Sequence, residues 1–220
     1  MPDATARARR SAAAVTALAA AAALLLTGCA PDESEASGGS AEQAALQALP
    51  VRAEPDGFEP TAFGPDDTVS DADGNGCPLR SDVLVRDLEN VETEPGSTPC
   101  AVRAGQLTDL YTGEAVDYTA QRPDAVQVDR IVSLTDAWAS GAGFWTAEQR
   151  GQFAADLDNV QLVADRTFRD RAGADAGRWL PPQESARCDL VAHQVAVKTE
   201  WDLSVDEAEK TAMAEVLAGC

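Results

Sequence analysis

The sequence contains little of what most hydrolytic enzymes use for catalysis. Its 220 residues include a single histidine, His193. They lack a Gly-x-Ser-x-Gly nucleophile motif, a glycine-rich phosphate loop and a His-Glu-x-x-His metal motif. A lone histidine in a helical segment is more typical of a helix surface or a half-buried position than of a catalytic site. The sequence therefore predicts no self-contained catalytic motif of these kinds.

Basic residues are also scarce. Seventeen Lys and Arg stand against 37 Asp and Glu, which gives a formal net charge of −20. Such a surface keeps a protein soluble and opposes tight binding to a polyanion such as DNA. As an alternative, the acidity simply reflects the habitat of the organism, and a local basic patch can still exist on an acidic background.

A hydrophobic run long enough to span a membrane is missing as well. The uncharged stretch from Ser11 to Thr27 follows three arginines, and it is shorter than the roughly 20 apolar residues that a span requires. Its length and flanks are typical of a bacterial signal peptide. It ends in Leu26-Thr27-Gly28-Cys29, which resembles the lipobox of bacterial lipoproteins. The alternatives are an ordinary signal peptide with a chance cysteine, or an uncleaved anchor.

The lipobox implies that residues 1–28 are removed and that lipid on Cys29 holds the chain at the extracytoplasmic face of the cell membrane. Removal of residues 1–28 takes away three Arg and one Asp, so 14 basic and 36 acidic residues remain and the net charge is near −22. Residues 29–48 are rich in Ser, Gly, Glu and Ala, which predicts a flexible tether, although Ala41 to Leu49 also suits a short helix. We expect one globular domain over residues 49–220.

The four remaining cysteines are Cys77, Cys100, Cys188 and Cys220. An even number in an exported chain predicts disulfides, and three pairings are possible. Cys77–Cys100 with Cys188–Cys220 is favoured because each bond closes a local loop. A zinc site is less favoured, because no two of these cysteines lie two to four residues apart.

Local patterns predict an α+β fold. Strands are expected at residues 101–107 and 115–119, joined by a turn at 111–114, and a strand that leads into a helix is expected over 126–138. The C-terminal half reads as helical, with a capping box at Thr146 and Gln149 and a helix over 183–200. Ser204 and Glu207 are expected to cap a final helix that ends at Leu217.

Beside these patterns, several motifs resemble a known family. They occur in the order Asn75-Gly76-Cys77, Arg80-Ser81-Asp82-Val83-Leu84, Arg86-Asp87-Leu88, Tyr111-Thr112-Gly113, Val128-Asp129, Ser133-Leu134, Asp136-Ala137-Trp138, Arg150, Phe153-Ala154, Asn159, Trp179-Leu180-Pro181-Pro182 and Gln194-Val195-Ala196-Val197-Lys198. Together they are similar to secreted actinobacterial HNH endonuclease family proteins and to the C-terminal domain of GmrSD-type restriction endonucleases. The resemblance covers roughly residues 49–220. It implies an HNH-type β-hairpin and helix that hold one divalent metal against a phosphodiester, followed by further helices.

The resemblance also implies which positions carry the chemistry. In the family an Asp-His pair supplies a metal ligand and the general base, and here that pair reads Asp129-Arg130. Asn159 matches a structural asparagine. Phe168 stands where the family has a ligand asparagine, and Arg171 stands where it has a phosphate-facing lysine.

These departures predict a degenerate site. Arg130 stays protonated at ordinary pH, so it cannot act as a base, and Phe168 has no lone pair for a metal. Asp129 alone is one ligand where a hard cation takes about six. Loss of the base alone commonly costs roughly 10²–10⁴-fold in rate.

Three functions remain open. In the first, a lipid-anchored surface protein keeps a non-catalytic HNH-like domain for binding or scaffolding, with no cofactor and with a protein or nucleic-acid partner. In the second, an active nuclease that cleaves DNA uses a divalent metal such as Mg²⁺ in a displaced site that includes Asp165 or Asp170. In the third, the fold displays an interaction surface unrelated to nucleic acid.

One local basic run bears on the first function. Its members are Arg166, Arg169, Arg171 and Arg178. Together with Arg130 they are candidates for gripping a phosphate or an acidic partner. The alternative is a solvated face that balances Asp165, Asp170 and Asp175.

Overall fold

The computed structural model describes residues 38–51, 57–64, 71, 73–96 and 100–220. Within these ranges the helices are α1 Gly38–Ala48, α2 Leu79–Asp87, α3 Leu134–Ala139, α4 Ala147–Ala154, α5 Asp165–Arg171, α6 Ser185–Glu200 and α7 Glu207–Leu217. The strands are β1 Glu89–Thr93, β2 Val102–Thr108, β3 Ala115–Thr119, β4 Val126–Arg130 and β5 Val160–Ala164. The α+β fold expected from the sequence is confirmed.

The first sheet is antiparallel, with the strand order β1-β2-β3. Its β2–β3 hairpin runs in register from Ala104 opposite Thr119 to Thr108 opposite Ala115. The turn between these strands closes with a bond from the Gly113 amide to the Asp109 carbonyl at 2.7 Å. Gly113 has a φ of 72°, a left-handed conformation that glycine adopts without steric cost. The predicted strands and turn are therefore present.

The second sheet pairs β4 with β5 in antiparallel fashion, from Val126 opposite Ala164 to Arg130 opposite Val160. All five residues of β5 are buried, including the polar Gln161. The α5 helix begins directly after β5 and packs against both strands. The chain thus forms a hairpin-plus-helix unit, with α3 and α4 inserted between the two strands.

Local sequence patterns predicted the N-terminal cap of α4 correctly but not that of α7. The capping box at Thr146 and Gln149 is present in both directions. The predicted cap of α7 is wrong, because Asp206 accepts the bond from the Glu209 amide at 2.7 Å. Ser204 is buried instead, and its hydroxyl donates to the Ser140 carbonyl at 2.9 Å.

Both favoured disulfides are formed, between Cys77 and Cys100 and between Cys188 and Cys220. They close loops with sequence separations of 23 and 32 residues. By restricting the unfolded chain, a loop of this size contributes about 3 kcal/mol of stability. The second bond ties α6 to the residues that follow α7.

The α1 helix corrects the predicted domain boundary. Leu46 and Leu49 are buried with Val191 of α6 and Met213 of α7, and Gln43 Nε2 donates to the Leu217 carbonyl at 2.9 Å. Residues 38–48, assigned to the tether by composition, therefore belong to the domain, because their apolar face is buried against α6 and α7. The predicted signal peptide (residues 1–28), Cys29 and the tether before residue 38 lie outside the described residues.

Aromatic side chains converge on one core around Phe153. Four tryptophans pack against this core: Trp138, Trp145, Trp179 and Trp201. The ring centroids of Trp201 and Phe153 lie 5.3 Å apart. The four tryptophans therefore contribute to the core. No helix in the described part of the chain is both long and apolar enough to cross a membrane.

Candidate functional site

The hairpin-plus-helix unit brings the sequence-predicted site residues to one place. Asp129 is the penultimate residue of β4, and Asn159 directly precedes β5. Phe168 and Arg171 lie three residues apart on α5, which puts them on neighbouring parts of one helix surface. A cavity of about 490 Å³ is lined by Arg80, Asp129, Arg130, Leu134 and Phe168, among others.

Asn159 links the two strands of the hairpin-plus-helix unit through its side chain and backbone. Its side chain is fully buried. The Oδ1 atom accepts from the Val132 amide at 2.8 Å, and Nδ2 donates to the Val132 carbonyl at 3.1 Å. The backbone amide of Ile131 also donates to the Asn159 carbonyl at 2.9 Å. Asn159 therefore fixes the chain that leaves β4 against the chain that enters β5, and its amide has both polar atoms engaged.

Arg171 lies at the centre of the site and points inward. Only 1% of its side chain is exposed, against 5% for that of Asp129. The Nη1 atom donates to the Asp129 carboxylate and, at 2.5 Å, to the Arg130 carbonyl. The Nη2 atom donates to the Ile131 carbonyl at 2.7 Å, and Nε donates to the Ala174 carbonyl at 3.3 Å. The end of β4 is thus held by a buried cation that the chain itself supplies.

Two aromatic rings complete the surroundings of this cation. The guanidinium carbon lies 5.9 Å from the centroid of Tyr111 and 5.8 Å from that of Trp179. The two rings meet edge to face, with centroids 5.2 Å apart. Aromatic faces attract a guanidinium most strongly when water is excluded. The rings therefore add to the attraction that holds Arg171 in place.

Burial raises the pKa of the Asp129 carboxyl, although the charge and hydrogen bond of Arg171 oppose that shift. On the other partner, the electrostatics of the pair favour the ionic form of Arg171. Burial alone would lower its pKa, but the negative charge and hydrogen bond of Asp129 outweigh burial, and the pKa of Arg171 is raised. A guanidinium is protonated at any ordinary pH even without such help. Asp129 therefore faces a permanent positive charge.

The residues present do not fit a divalent metal ion. Asp129 offers the carboxylate, but the Arg171 guanidinium already binds it. Phe168 is exposed and has no donor atom, and the Asn159 amide is committed to Val132. In the described part of the chain, no group of three or more His, Cys, Asp and Glu is arranged to hold a metal. A cation next to Arg171 would also be repelled by it.

The residues proposed for a displaced site do not gather around Asp129. Asp165 pairs with Arg169 and accepts from Gln127 Nε2 at 3.2 Å, and it lines a different cavity. Asp170 lies 3.6 Å from Arg166 across one turn of α5. His193 is exposed on α6, as a lone helical histidine was expected to be.

The basic run does not form a cluster. Arg166, Arg169 and Arg178 each form an ion pair with a nearby aspartate, namely Asp170, Asp165 and Asp175. The side chains of these arginines are more than half exposed. The pairs of Arg166 and Arg169 contribute little to stability, whereas the Asp175 partner of Arg178 is buried. This arrangement matches a solvated face, the alternative considered from the sequence. Arg171 is the exception, since its side chain is buried beneath the hairpin.

Arg130, the residue after Asp129, lies apart from this run. Its Nη2 atom donates to the Ala154 carbonyl at 3.0 Å. Neighbouring residues of a strand point to opposite faces, so Arg130 cannot replace Asp129 in its contact with α5.

A second buried cation was missed in the sequence. Lys198 of α6 is fully buried and lies 2.8 Å from Asp136 and 2.9 Å from Glu209. A signal was available, since Val191, Gln194 and Val195 recur at helical spacing with Lys198 and therefore share its face. A lysine on the apolar face of a helix requires buried acidic partners.

Comparison with known proteins agrees with this architecture. The sequence pattern of the family described as "GmrSD restriction endonucleases, C-terminal domain" matches residues 79–216. A protein of Arthroderma benhamiae (strain ATCC MYA-4681 / CBS 112371), described as "Uncharacterized secreted protein", is 37% identical over 185 residues, which cover 82% of this chain and 85% of that protein. No solved structure gives a significant match. The resemblance noted in the sequence is confirmed, and the chain belongs to the family of the C-terminal domain of GmrSD restriction endonucleases.

Proposed function

We propose that this protein is held by lipid at the extracytoplasmic face of the cell membrane, and that its HNH-like domain does not cleave phosphodiesters and acts in binding or scaffolding. One observation carries the loss of catalysis: the Arg171 guanidinium binds the Asp129 carboxylate inside the hairpin-plus-helix unit. Metal-dependent hydrolysis needs a cation with open coordination positions and a base that activates water. Arg171 supplies a cation without coordination positions, and Arg130 cannot accept a proton.

The membrane-anchored location is supported by independent features. Arg7, Arg9 and Arg10 precede an apolar run that ends at Cys29, and two disulfides are typical of exported chains. The similar protein of Arthroderma benhamiae is described as secreted. Multiple acyl chains on one cysteine would anchor the chain stably. Replacement of Cys29 by Ser should release the protein from the membrane fraction, whereas retention in that fraction would argue against lipid attachment at Cys29.

The alternative function is an active nuclease. It is supported by the membership of this chain in the family of the C-terminal domain of GmrSD restriction endonucleases. A plasmid-nicking assay on the chain without its first 29 residues separates the two functions. We expect no cleavage with Mg²⁺, Mn²⁺, Ca²⁺ or Zn²⁺ supplied in turn. Cleavage that disappears in Asp129→Asn, a variant that keeps the shape of the side chain, would establish the nuclease instead.

The kind of partner is open to a direct test. A net charge near −22 for the chain without residues 1–28 disfavours nucleic acid. We therefore favour a protein partner, and we expect no binding to DNA or RNA even at low salt. Binding at low salt that weakens steeply as salt is added would indicate phosphate contacts.

A further inference from the structure

The buried Lys198 cluster lies outside the hairpin site and joins three helices. We name it by its charged members, which are Lys198 of α6, Asp136 of α3 and Glu209 of α7. The Nζ atom lies 2.8 Å from Asp136 Oδ1, and it lies 2.9 Å and 3.0 Å from the two oxygens of Glu209. It also lies 3.0 Å from Ser140 Oγ and 3.1 Å from the Ser204 carbonyl.

Acceptors outnumber donors in this cluster. An ammonium group has three N–H donors, and the Ser140 hydroxyl adds a fourth, which it donates to Asp136 Oδ1 at 2.9 Å. These donors face the four oxygens of two carboxyl groups, the Ser140 hydroxyl oxygen and the Ser204 carbonyl. The second oxygen of Asp136 is buried and has no hydrogen-bond partner among the described residues. Two carboxylates and one ammonium would leave an excess negative charge on side chains that are almost completely buried, which is costly. One additional proton removes the excess charge and adds one donor.

The charges around Glu209 point to the residue that takes this proton. Lys198 faces it from α6, Asp136 faces it from α3, and Asp175 acts on it from the segment between α5 and α6. Arg178 pairs with Asp175, and Asp206 caps the same turn of α7. Burial raises the pKa of Glu209 to about 8, the charge of Asp136 acts in the same direction, and Lys198 opposes both.

We propose that Glu209 is protonated in the folded protein at neutral pH, and that loss of this proton at alkaline pH loosens the first turn of α7 from α3 and α6. The far end of α7 stays attached through the Cys188–Cys220 disulfide. The movement is therefore confined to the end of the helix that borders a cavity of about 350 Å³. Asp136, Ser140, Arg171, Gly173 and Glu209 are among its lining residues. The Lys198 cluster acts as a pH-sensitive latch beside the hairpin site.

The direction of the pH dependence follows from linkage. In the unfolded chain Glu209 releases its proton near its ordinary pKa of about 4.5, whereas the folded protein keeps it until about pH 8. Between these values the unfolded chain binds fewer protons than the folded one, so stability falls as pH rises. Below pH 4.5 the group has no effect on stability.

Urea unfolding of the purified full chain tests the latch at pH 5, 7 and 9. Glutamine has the shape of a protonated glutamate but does not titrate. The Glu209→Gln variant should therefore become more stable relative to the native chain as pH rises. The ratio of the unfolding equilibrium constant of the native chain to that of Glu209→Gln should rise by at least about tenfold between pH 5 and 9. The matched control is Glu207→Gln, on the exposed face of the same turn, which should follow the native chain. If the free energies of unfolding of Glu209→Gln and the native chain differ by the same amount at all three pH values, the proposal is overturned.

A second measurement needs no variant that has to fold. A carbon-detected NMR titration of the native chain should place the midpoint of the Glu209 carboxyl near pH 8, and the amide signals of residues 207–210 should shift with the same midpoint. A carboxyl midpoint near 4.5 would overturn the protonation. Amide signals that do not follow the carboxyl would overturn the loosening of α7.

Discussion

The Arg171 guanidinium lies against the Asp129 carboxylate across 42 residues of sequence, and both side chains are almost completely buried. Asp129 is the penultimate residue of β4, and Arg171 is the last residue of α5. The pair therefore joins the two parts of the unit that in this family would hold a metal. In this chain the contact links the hairpin to α5 through a buried ion pair.

Removal of Arg171 should destabilise the protein strongly. Arg171→Ala leaves the Asp129 carboxylate buried without its cation, and breaking a buried ion pair in this way costs about 3–5 kcal/mol. Urea unfolding measures the loss. Arg169→Ala is the matched control, because Arg169 lies on the same helix and pairs with Asp165 at the surface, and we expect a change within about 1 kcal/mol.

The two members of the pair should also be coupled. In a double-mutant cycle, Asp129→Leu with Arg171→Met should be less destabilised than the sum of the two single variants, since neither charge is left alone. Additive losses would show that Arg171 is held by its carbonyl and aromatic contacts rather than by Asp129.

Asn159 should be important for stability rather than for binding. Asn159→Ala removes both side-chain bonds to Val132 and leaves a buried amide and carbonyl without these partners, at a cost of about 1–3 kcal/mol for each unsatisfied group. Thermal unfolding checks this loss. Gln106→Ala, at an exposed strand position, should change the melting temperature little, and an equal change in both variants would contradict the role given to Asn159.

Ala172 offers a test in the stabilising direction. This residue ends α5 with a φ of 50° and a ψ of 34°, and a side chain in the left-handed region costs about 1–2 kcal/mol. Ala172→Gly should therefore raise the free energy of unfolding by up to about 1 kcal/mol, because glycine also loses more freedom on folding. Ala155→Gly serves as the control, since Ala155 has a φ of −99°. That variant should lower the stability.

The Cys188–Cys220 bond should stabilise the C-terminal helices. Replacement of both cysteines by alanine removes the restriction on the unfolded chain and should lower stability by about 3 kcal/mol. Urea unfolding of the native chain with and without a reducing agent measures the joint contribution of this bond and of Cys77–Cys100. If the double variant is as stable as the oxidised protein, the bond has no part in holding α6 and α7 together.

Much of the fold could be predicted because its signals are local. The capping box at Thr146 depends on residues three positions apart. β1 was missed because Glu89–Thr93 is a largely exposed, polar edge strand without clear alternation. The packing of α1 was missed because composition cannot show that Leu46 and Leu49 meet α6 and α7.

The sequence named the residues of the candidate site, but it did not indicate which of them are in contact. Asp129, Asn159, Phe168 and Arg171 were all identified by comparison with the family pattern, and the structure brings Asp129 and Arg171 together. Their direct pairing could not be read from the sequence, because a contact over 42 residues depends on how the hairpin and α5 pack. For the same reason Arg171 was grouped with Arg166 and Arg169, whose side chains turn out to be exposed.

The most direct test of the account is a titration of the chain, without its first 29 residues, with Mn²⁺ followed by calorimetry and by electron paramagnetic resonance. The account predicts no stoichiometric binding at Asp129, because the Arg171 guanidinium already holds that carboxylate. Stoichiometric binding that is lost in Asp129→Asn would contradict it, and the site would then have to be treated as a working metal centre.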